Sequence, residues 1–314
     1  MRIQLHVSLS MIAACCALLT GTATHAAGTD ADAATGQLTS NLLVSRDSDH
    51  FDTDKLNVGY VFSSGWGLGF NVSHFSAPGW SANGKGLFAQ YLERGKDRTI
   101  EARLGATQTA GHTLATGMLD YMHRVSDKTW LGVSAERDVV ESIHGIEHGM
   151  HYDALMLVLD QQFTDRFNVG AVLGATRFSD NNTRPIFRTR WNYELVEGSG
   201  LNVYLKTRNY HNNRPYQGHY FAPENLGEYS AGLSWRTAFP GPMVFFASAD
   251  VGRQRIDSDH NGIWSARIGL QNHHTSKAIW QVALETSNNR ASSLAGGVDH
   301  YRYTSLIVRL VYPF

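Results

Sequence analysis

The chain has 314 residues, of which 27 are Lys or Arg and 28 are Asp or Glu, so its formal net charge is −1 with His neutral. This balance gives no reason to expect a nucleic-acid partner, because binding to a phosphate backbone requires a surplus of basic residues. After residue 26 no apolar run approaches the ~20 residues that a membrane-spanning helix needs, so a place in a membrane would require strands.

The N-terminal segment has the order of a secretory signal: a positive charge at Arg2, an apolar run over 7–19, and small residues up to Ala26. We therefore predict a signal peptide over 1–26 and one mature domain over 27–314. The stretch that ends at Cys15 also resembles a lipobox, which makes lipidation of Cys15 the alternative. Both cysteines of the chain lie in this signal. The mature chain must then be stabilised without disulfides, and a closed hydrogen-bonded barrel is one way to achieve this.

Alternation of apolar and polar residues recurs along the whole mature chain. One example places Ile100, Ala102 and Leu104 against Glu101 and Arg103. The period of two is typical of strands that have a different environment on each face. Between turn signals we count sixteen such segments: 37–45, 56–63, 66–76, 85–94, 97–107, 112–124, 129–139, 152–163, 166–178, 186–195, 200–210, 226–237, 243–256, 263–272, 278–287 and 301–314.

The connections between these segments alternate in length. Short turns near 63–65, 95–97, 126–128, 164–166, 197–200, 239–242 and 273–276 follow every second segment. Longer polar connections near 46–55, 77–84, 140–151, 179–185, 211–225, 257–262 and 288–300, with a shorter one at 108–112, follow the others. Short turns on one rim and longer loops on the other are typical of bacterial membrane barrels.

The last fourteen residues carry the sharpest signal. Leu306, Val308, Leu310, Tyr312 and Phe314 share one face, and the chain ends on an aromatic residue. This resembles the C-terminal signature of outer-membrane proteins. We predict an all-β fold, a transmembrane antiparallel up-and-down β-barrel of about 16 strands, with 14 as the alternative. The expected location is the bacterial outer membrane, with both termini periplasmic. The expected partners are outer-membrane lipid and the barrel assembly machinery, which would recognise the strand that ends in Phe314.

Charged residues on the polar faces of these strands are predicted to line the lumen. The basic ones are Arg103, Arg188, Arg190, Lys206, Arg208, Arg236, Arg267 and Arg309, and the acidic ones are Glu101, Glu194, Glu228 and Glu285. A basic-leaning wall favours anions in a pore. The alternative is that interleaved Arg and Glu neutralise one another and have only a structural role.

The 211–225 loop combines aromatic rings with amides and charged groups, notably Tyr216, Tyr220, Phe221 and Glu224. Tyr204 and Tyr210 precede it on a strand and are predicted to face the same lumen. Rings that stack on sugar faces beside hydrogen-bonding groups are typical of carbohydrate sites. The alternative is a loop that folds inward to brace the barrel.

Two histidine motifs point to chemistry only weakly. His144, Glu147, His148 and His151 have some of the spacing of a zinc site, but the neighbouring glycines argue against a rigid helix. His74-Phe75-Ser76 invites comparison with outer-membrane lipases, yet the Asn expected soon after the Ser is replaced by Ala77-Pro78. We therefore expect no catalytic residue, no metal and no cofactor.

Several short motifs occur in order in the second half of the chain. They are Glu136 to Ser142, Phe178 to Arg184, Arg208-Asn209-Tyr210, Tyr220 to Glu224 and Gly232 to Arg236. This resembles the C-terminal barrel of bacterial exopolysaccharide secretion porins of the poly-N-acetylglucosamine and cellulose exporter type. The resemblance covers roughly 130–314. It implies a sixteen-stranded barrel that follows a periplasmic tetratricopeptide-repeat scaffold. The sequence departs from that pattern before the first strand, so we expect any scaffold to be a separate protein.

The leading functional expectation is passage of a carbohydrate polymer without covalent chemistry. The basic wall fits a neutral or acidic polymer better than a cationic one. A general diffusion porin is the first alternative. A surface adhesion or receptor barrel that works through its extracellular loops is the second.

Overall fold

The computed structural model describes residues 36–239, 241–272, 278–289 and 301–314. The predicted signal peptide, including Cys15, the predicted turn at 273–276 and most of the 288–300 loop lie outside these residues. The strands are β1 Gly36–Asp47, β2 Asp52–Phe62, β3 Trp66–Ala77, β4 Trp80–Arg94, β5 Arg98–Thr109, β6 His112–Ser126, β7 Thr129–Val139, β8 His151–Gln162, β9 Phe167–Phe178, β10 Thr183–Glu194, β11 Leu201–His211, β12 Asn225–Ala238, β13 Met243–Ile256, β14 Asp259–Asn272, β15 Ile279–Ser287 and β16 Tyr303–Pro313. The helix α1, Ile143–Glu147, lies between β7 and β8.

Each strand pairs antiparallel with its neighbours in the chain, and β1 pairs with β16 to close the barrel. At the closure Gln37 lies opposite Pro313 and Asp47 opposite Tyr303, so the ladder spans the full length of both strands. Closure removes the unpaired edges that an open sheet would expose. The predicted fold, a sixteen-stranded all-antiparallel barrel, is confirmed.

The two faces of the strands have the polarity of a membrane barrel. Along β8, Leu155 is 59% exposed on the outer face, and Met156 beside it is 2% exposed on the inner face. Charged residues such as Arg190 and Glu228 are buried inside, whereas Phe70, Leu104 and Leu205 are exposed outside. An apolar outer belt around a charged interior is the arrangement that lipid requires.

Aromatic side chains collect on the outer surface near the rim that holds Gly36 and Phe314, which we call the terminal rim. Tyr312 packs against Phe314 with ring centroids 5.1 Å apart, and Trp66 packs against Tyr91 at 5.0 Å. Phe163 and Phe167 continue the series at 5.5 Å. Rings at this level form the girdle that barrels place where hydrocarbon meets head groups.

The opposite rim, which we call the far rim, has tighter turns than the sequence predicts. β4 begins at Trp80 instead of residue 85, and β14 begins at Asp259 instead of 263. Two-residue turns at 78–79 and 257–258 therefore replace two predicted loops. The physical reason is that the polar and Gly-rich residues beyond the apolar belt still pair through their backbones. Among the described residues, the long connections are 140–150 and 212–224.

Candidate functional site

Long side chains fill the barrel interior along β8 to β13. Met156, Val172, Ile186 and Tyr210 belong to one buried apolar cluster that extends to Tyr220 and Leu226 near the far rim. Charged residues of the same strands lie beside this cluster. We call this part of the interior the filled half.

Asp250 of β13 is the centre of one polar network in the filled half. Its Oδ2 accepts hydrogen bonds from the Tyr204 hydroxyl at 2.9 Å, from Lys206 Nζ at 2.7 Å and from Ser265 Oγ at 2.5 Å. The carboxylate side chain is only 2% exposed. Because three donors converge on one buried anion, the network links β11 to β13 and β14 across the intervening strand β12.

Two arginines, Arg190 and Arg208, also lie in the filled half and contact side chains of the barrel wall. The guanidinium of Arg190 stacks on the Tyr204 ring at 3.8 Å and its Nε donates to Asn192 at 2.8 Å. Arg208 Nη2 donates to Glu228 Oε1 at 2.6 Å. These groups are paired with partners of the barrel wall itself, which matches the structural alternative for the interleaved charges.

The connection 212–224 folds into the barrel mouth at the far rim. The Tyr220 hydroxyl accepts from Asn182 at 2.9 Å, and the Tyr220 ring stacks on Phe178 at 4.4 Å. Arg184 donates to the Phe221 carbonyl at 2.7 Å. Burial raises the pKa of Tyr220. Tyr216 and Glu224 remain exposed. Most of this segment therefore braces the barrel. This agrees with the alternative expectation that the loop folds inward and has a structural role.

The opposite side of the interior is open. A cavity of about 450 Å³ runs mainly along the inner faces of β1 to β7 and of β14 to β16, and Val158 of β8 and Arg236 of β12 also line it. Neutral polar groups line much of it, including Thr39, Asn41, Asn57, Asn71, Gln90 and Thr107. We call this part of the interior the open half.

Inward-facing glycines keep the open half open. Gly59, Gly69, Gly86 and Gly105 occupy inner positions of β2 to β5, between lining residues. A Cβ on Gly59 would lie 2.2 Å from Gln90 Nε2, and one on Gly86 would lie 2.9 Å from Asn71 Oδ1. The glycines thus make room for amide side chains that lie against the barrel wall. Because these amides do not extend towards the barrel axis, the central space remains free.

The structure divides the predicted lumen residues between the two halves. Arg103, Arg236, Arg267 and Arg309 line the cavity, as does the predicted acidic lumen residue Glu101. The other predicted path residues face inward in the filled half and are absent from the described cavity lining: Arg188, Arg190, Glu194, Tyr204, Lys206, Arg208, Tyr210 and Glu228. Alternation identifies the inner face, but it does not show which strands carry the open space.

Sequence reasoning overlooked the neutral residues of β1 to β5. Asn41, Asn57 and Asn71 are not among the predicted lumen residues, because that prediction rests on charged side chains. Their signal was present in the sequence: amides alternate with apolar residues, and inward glycines follow two residues away, as in Asn57-Val58-Gly59. Small neutral inner residues in a barrel predict a wide interior.

The segment 140–150 lies against the far-rim end of the cavity. Ile146 of α1 packs with Phe75 and Val139, which line the cavity. Glu141 forms an ion pair with Lys55 of β2, and Glu147 accepts from Trp80 Nε1 at 2.9 Å. Ser142 Oγ donates to the His219 carbonyl at 2.6 Å, which joins this segment to 212–224. We call 140–150 the cap segment.

The histidines of the cap segment stack. The ring of His144 lies 3.9 Å from that of His148 and 4.1 Å from that of His219. Desolvation, together with the charges of His219 and His148, lowers the pKa of His144 below its ordinary value of 6.5. Among the residues that the structure describes, no group of three or more His, Cys, Asp or Glu side chains is arranged to hold a metal ion.

His74 of the lipase-like motif has Nδ1 2.8 Å from Asn83 Oδ1 on the neighbouring strand and is exposed. The contact explains the histidine as part of a cross-strand pair.

Over the described ranges, no helix is both long enough and apolar enough to cross a membrane.

Comparison with known proteins shows similarity at the level of the fold. A solved structure described as a bacterial polysaccharide outer membrane secretin superposes with a TM-score of 0.70 at 11% identity, over 90% of this chain and 100% of that chain. CdiB from Acinetobacter baumannii superposes with a TM-score of 0.51 at 12% identity, over 88% of this chain and 60% of that chain. No protein-family model matches the sequence, and no curated protein matches it significantly. The chain has the fold of an outer-membrane β-barrel.

Proposed function

We propose that this barrel is an outer-membrane channel through which a carbohydrate polymer passes. The observation that carries the proposal is the open half: a cavity of about 450 Å³ lined by amides and hydroxyls together with six arginines, one lysine and five carboxylates. Sugar hydroxyls need both donors and acceptors, and amides supply both. The fold likeness to a polysaccharide outer membrane secretin, which spans that whole chain, supports the same assignment.

The proposal includes an orientation and partners. The terminal rim faces the periplasm, because the two long described connections, 140–150 and 212–224, both lie on the far rim. Residues 1–26 direct export, the barrel assembly machinery recognises the strand that ends in Phe314, and a separate periplasmic scaffold protein delivers the polymer. The barrel itself performs no covalent chemistry.

Deletion of the gene tests the proposal. We expect the deletion strain to lose extracellular polysaccharide and to recover it with the wild-type chain on a plasmid. Unchanged polysaccharide in the deletion strain, together with reduced uptake of small solutes, would instead identify a general diffusion porin.

Charge reversal tests the cavity as the path. Arg236→Glu together with Arg309→Glu should shift the ion selectivity of the barrel in planar bilayers from anions towards cations, because both residues line the cavity. The matched control is Arg208→Glu with Glu228→Arg, which keeps the net charge of the filled half. An unchanged reversal potential in the first variant would show that ions do not pass through the open half.

A surface receptor barrel is the second candidate. It is favoured by the cap segment, which packs on the far-rim end of the cavity through Ile146, Phe75 and Val139. Negligible conductance, combined with loss of a cell-surface binding activity when 212–224 is shortened, would support this candidate over the channel.

A further inference from the structure

Five amide side chains of the open half fall on one continuous row across the sheet. Gln271 of β14 lies opposite Gln281 of β15. Gln281 lies opposite Arg309 of β16, and Arg309 lies opposite Asn41 of β1. Asn41 lies opposite Asn57 of β2, and Asn57 lies opposite Asn71 of β3. We call Gln271, Gln281, Asn41, Asn57 and Asn71 the amide row.

The row continues through a glycine to a hydroxyl group. Asn71 lies opposite Gly86 of β4, which lies opposite Thr107 of β5. The Asn71 amide donates to Thr107 Oγ1 at 3.3 Å, over the space that Gly86 leaves. Thr107 Oγ1 lies in turn 3.3 Å from the hydroxyl of Thr116 on β6. All of these side-chain positions except Gly86 line the cavity.

The register makes this row climb from one rim to the other. Gln271 is the second-last residue of β14 at the terminal rim, whereas Thr107 is two residues from the end of β5 at the far rim. Strands in a barrel tilt by about 35–45°, so a row perpendicular to them spirals along the axis. With strands about 4.8 Å apart, eight strands carry the row over roughly 34 Å.

The five amides of the row are neutral and can both donate and accept hydrogen bonds, whereas Arg309 adds one positive charge between Gln281 and Asn41. Each amide offers a carbonyl acceptor and two N–H donors, which are the groups that sugar hydroxyls pair with. Asn41 Oδ1 is buried and has no hydrogen-bond partner among the described residues, and the same holds for Gln90 Nε2 beside the row. Buried polar atoms are normally satisfied, so these two amides retain hydrogen-bonding capacity that the barrel itself does not use.

We propose that the amide row is a binding track for a neutral polyhydroxylated sugar chain, which contacts it as it moves along the cavity wall. The inference deepens the proposed function by naming the substrate class and the residues that hold it. Single amide hydrogen bonds are individually weak and repeat along the path. A channel needs binding that favours entry and is still weak enough to release the substrate at each step.

Binding to the purified full barrel in detergent tests the track. The probe is a neutral glucose hexasaccharide, titrated by calorimetry. We expect binding to the wild type, an affinity reduced roughly two- to tenfold in Asn57→Leu, and a larger loss in Asn57→Leu with Asn71→Leu. Leu has the same number of side-chain heavy atoms as Asn and the same branching at Cγ, so the shape of the side chain is largely kept while its hydrogen bonds are lost. The matched control is Asn209→Leu on the outer face of β11, which should bind like the wild type.

Salt distinguishes the amides from the arginines. Hydrogen bonds to the neutral hexasaccharide should give the same affinity at low salt and at 0.5 M NaCl, whereas an acidic hexasaccharide held by Arg309 and its neighbours would lose affinity with salt. Absence of neutral hexasaccharide binding by the folded wild-type barrel, equal binding by wild type and the double variant, or binding of the acidic hexasaccharide alone would each overturn the track.

Secretion separates failure of the track from failure of the proposed function. If deletion abolishes polysaccharide secretion and the double Asn variant restores it fully, the track is wrong and the channel function stands. If deletion leaves secretion unchanged, the channel function fails, and the titration still decides whether the row binds sugar. Heat-modifiable migration on gels verifies that each variant is folded.

Discussion

Glu141 of the cap segment forms a buried ion pair with Lys55 of β2, a residue 86 positions earlier in the chain. The Glu141 side chain is 6% exposed and that of Lys55 is 16% exposed. Asp138 Oδ2 lies 3.9 Å from the same ammonium group. The pair therefore ties the cap segment to the opposite side of the open half.

Glu141→Gln is expected to loosen the cap segment, because the charged partner of Lys55 is lost while Asp138 still attracts the ammonium group away from the cap. Single-channel recordings should show larger or more frequent openings than in the wild type. Asp153→Asn is the matched control, since Asp153 pairs with Arg137 in an exposed position and should leave the recordings unchanged. Identical recordings for Glu141→Gln and the wild type would show that the ion pair does not hold the cap.

Acidification is expected to loosen the same segment. Desolvation and the neighbouring histidines lower the pKa of His144 in the folded state. Its neutral form therefore contributes stability that is present above pH 6.5 and is lost as the pH falls through the lowered folded value. Openings should become more frequent between pH 7.5 and pH 5. In His144→Gln the pH dependence should become smaller; an undiminished dependence would assign it to other groups.

Gly69→Ala is expected to destabilise the open half. The added Cβ would lie 2.4 Å from Phe88 Cζ and 2.5 Å from the Val58 carbonyl, so both a ring and the backbone would have to move. Such overpacking costs about 1–3 kcal/mol of the free energy of unfolding. Urea unfolding followed by tryptophan fluorescence measures it. Gly262→Ala, where no atom lies within 4 Å, should unfold like the wild type, and equal midpoints for the two variants would contradict the expectation.

Asp250→Ala is expected to be the more damaging change in the filled half. Tyr204, Lys206 and Ser265 would all lose their acceptor, and the partly buried ammonium group of Lys206 would lose its counter-charge, at a cost of roughly 3–5 kcal/mol. Tyr204→Phe removes one donor and should cost about 1 kcal/mol. The same urea experiment ranks the two variants; a reversed order would mean that Asp250 is not the centre of the network.

The fold could be predicted from the sequence because its signal is local. Leu306 to Phe314 alternates within one strand, and each hairpin joins neighbours in the chain, so counting segments gives the barrel. Strand ends were less predictable: Trp80 to Gly84 contains Asn and Gly, and only the backbone pairing with β3 shows that it is part of β4.

The site was harder to predict because it depends on register. Gln281 and Asn41 come together only through Arg309, which pairs with both. A prediction based on charge favours Arg190 and Arg208, whose partners Tyr204 and Glu228 lie in the filled half, 14 and 20 positions away. Whether a strand faces open space depends on the summed volume of the side chains of many strands. Gly59 and Gly86 enlarge that space because they have no side chain.

The seam between β1 and β16 has a consequence for biogenesis. Arg309 and Asn41 lie on its two sides, so the proposed sugar track is continuous only after β1 and β16 have paired. In a nascent barrel whose seam is still open, the track would be divided into two separate parts, one that ends at β16 and one that begins at β1. Affinity for an oligosaccharide would then report completion of assembly. A barrel in which β16 has not yet paired with β1 would bind the oligosaccharide more weakly than the closed barrel.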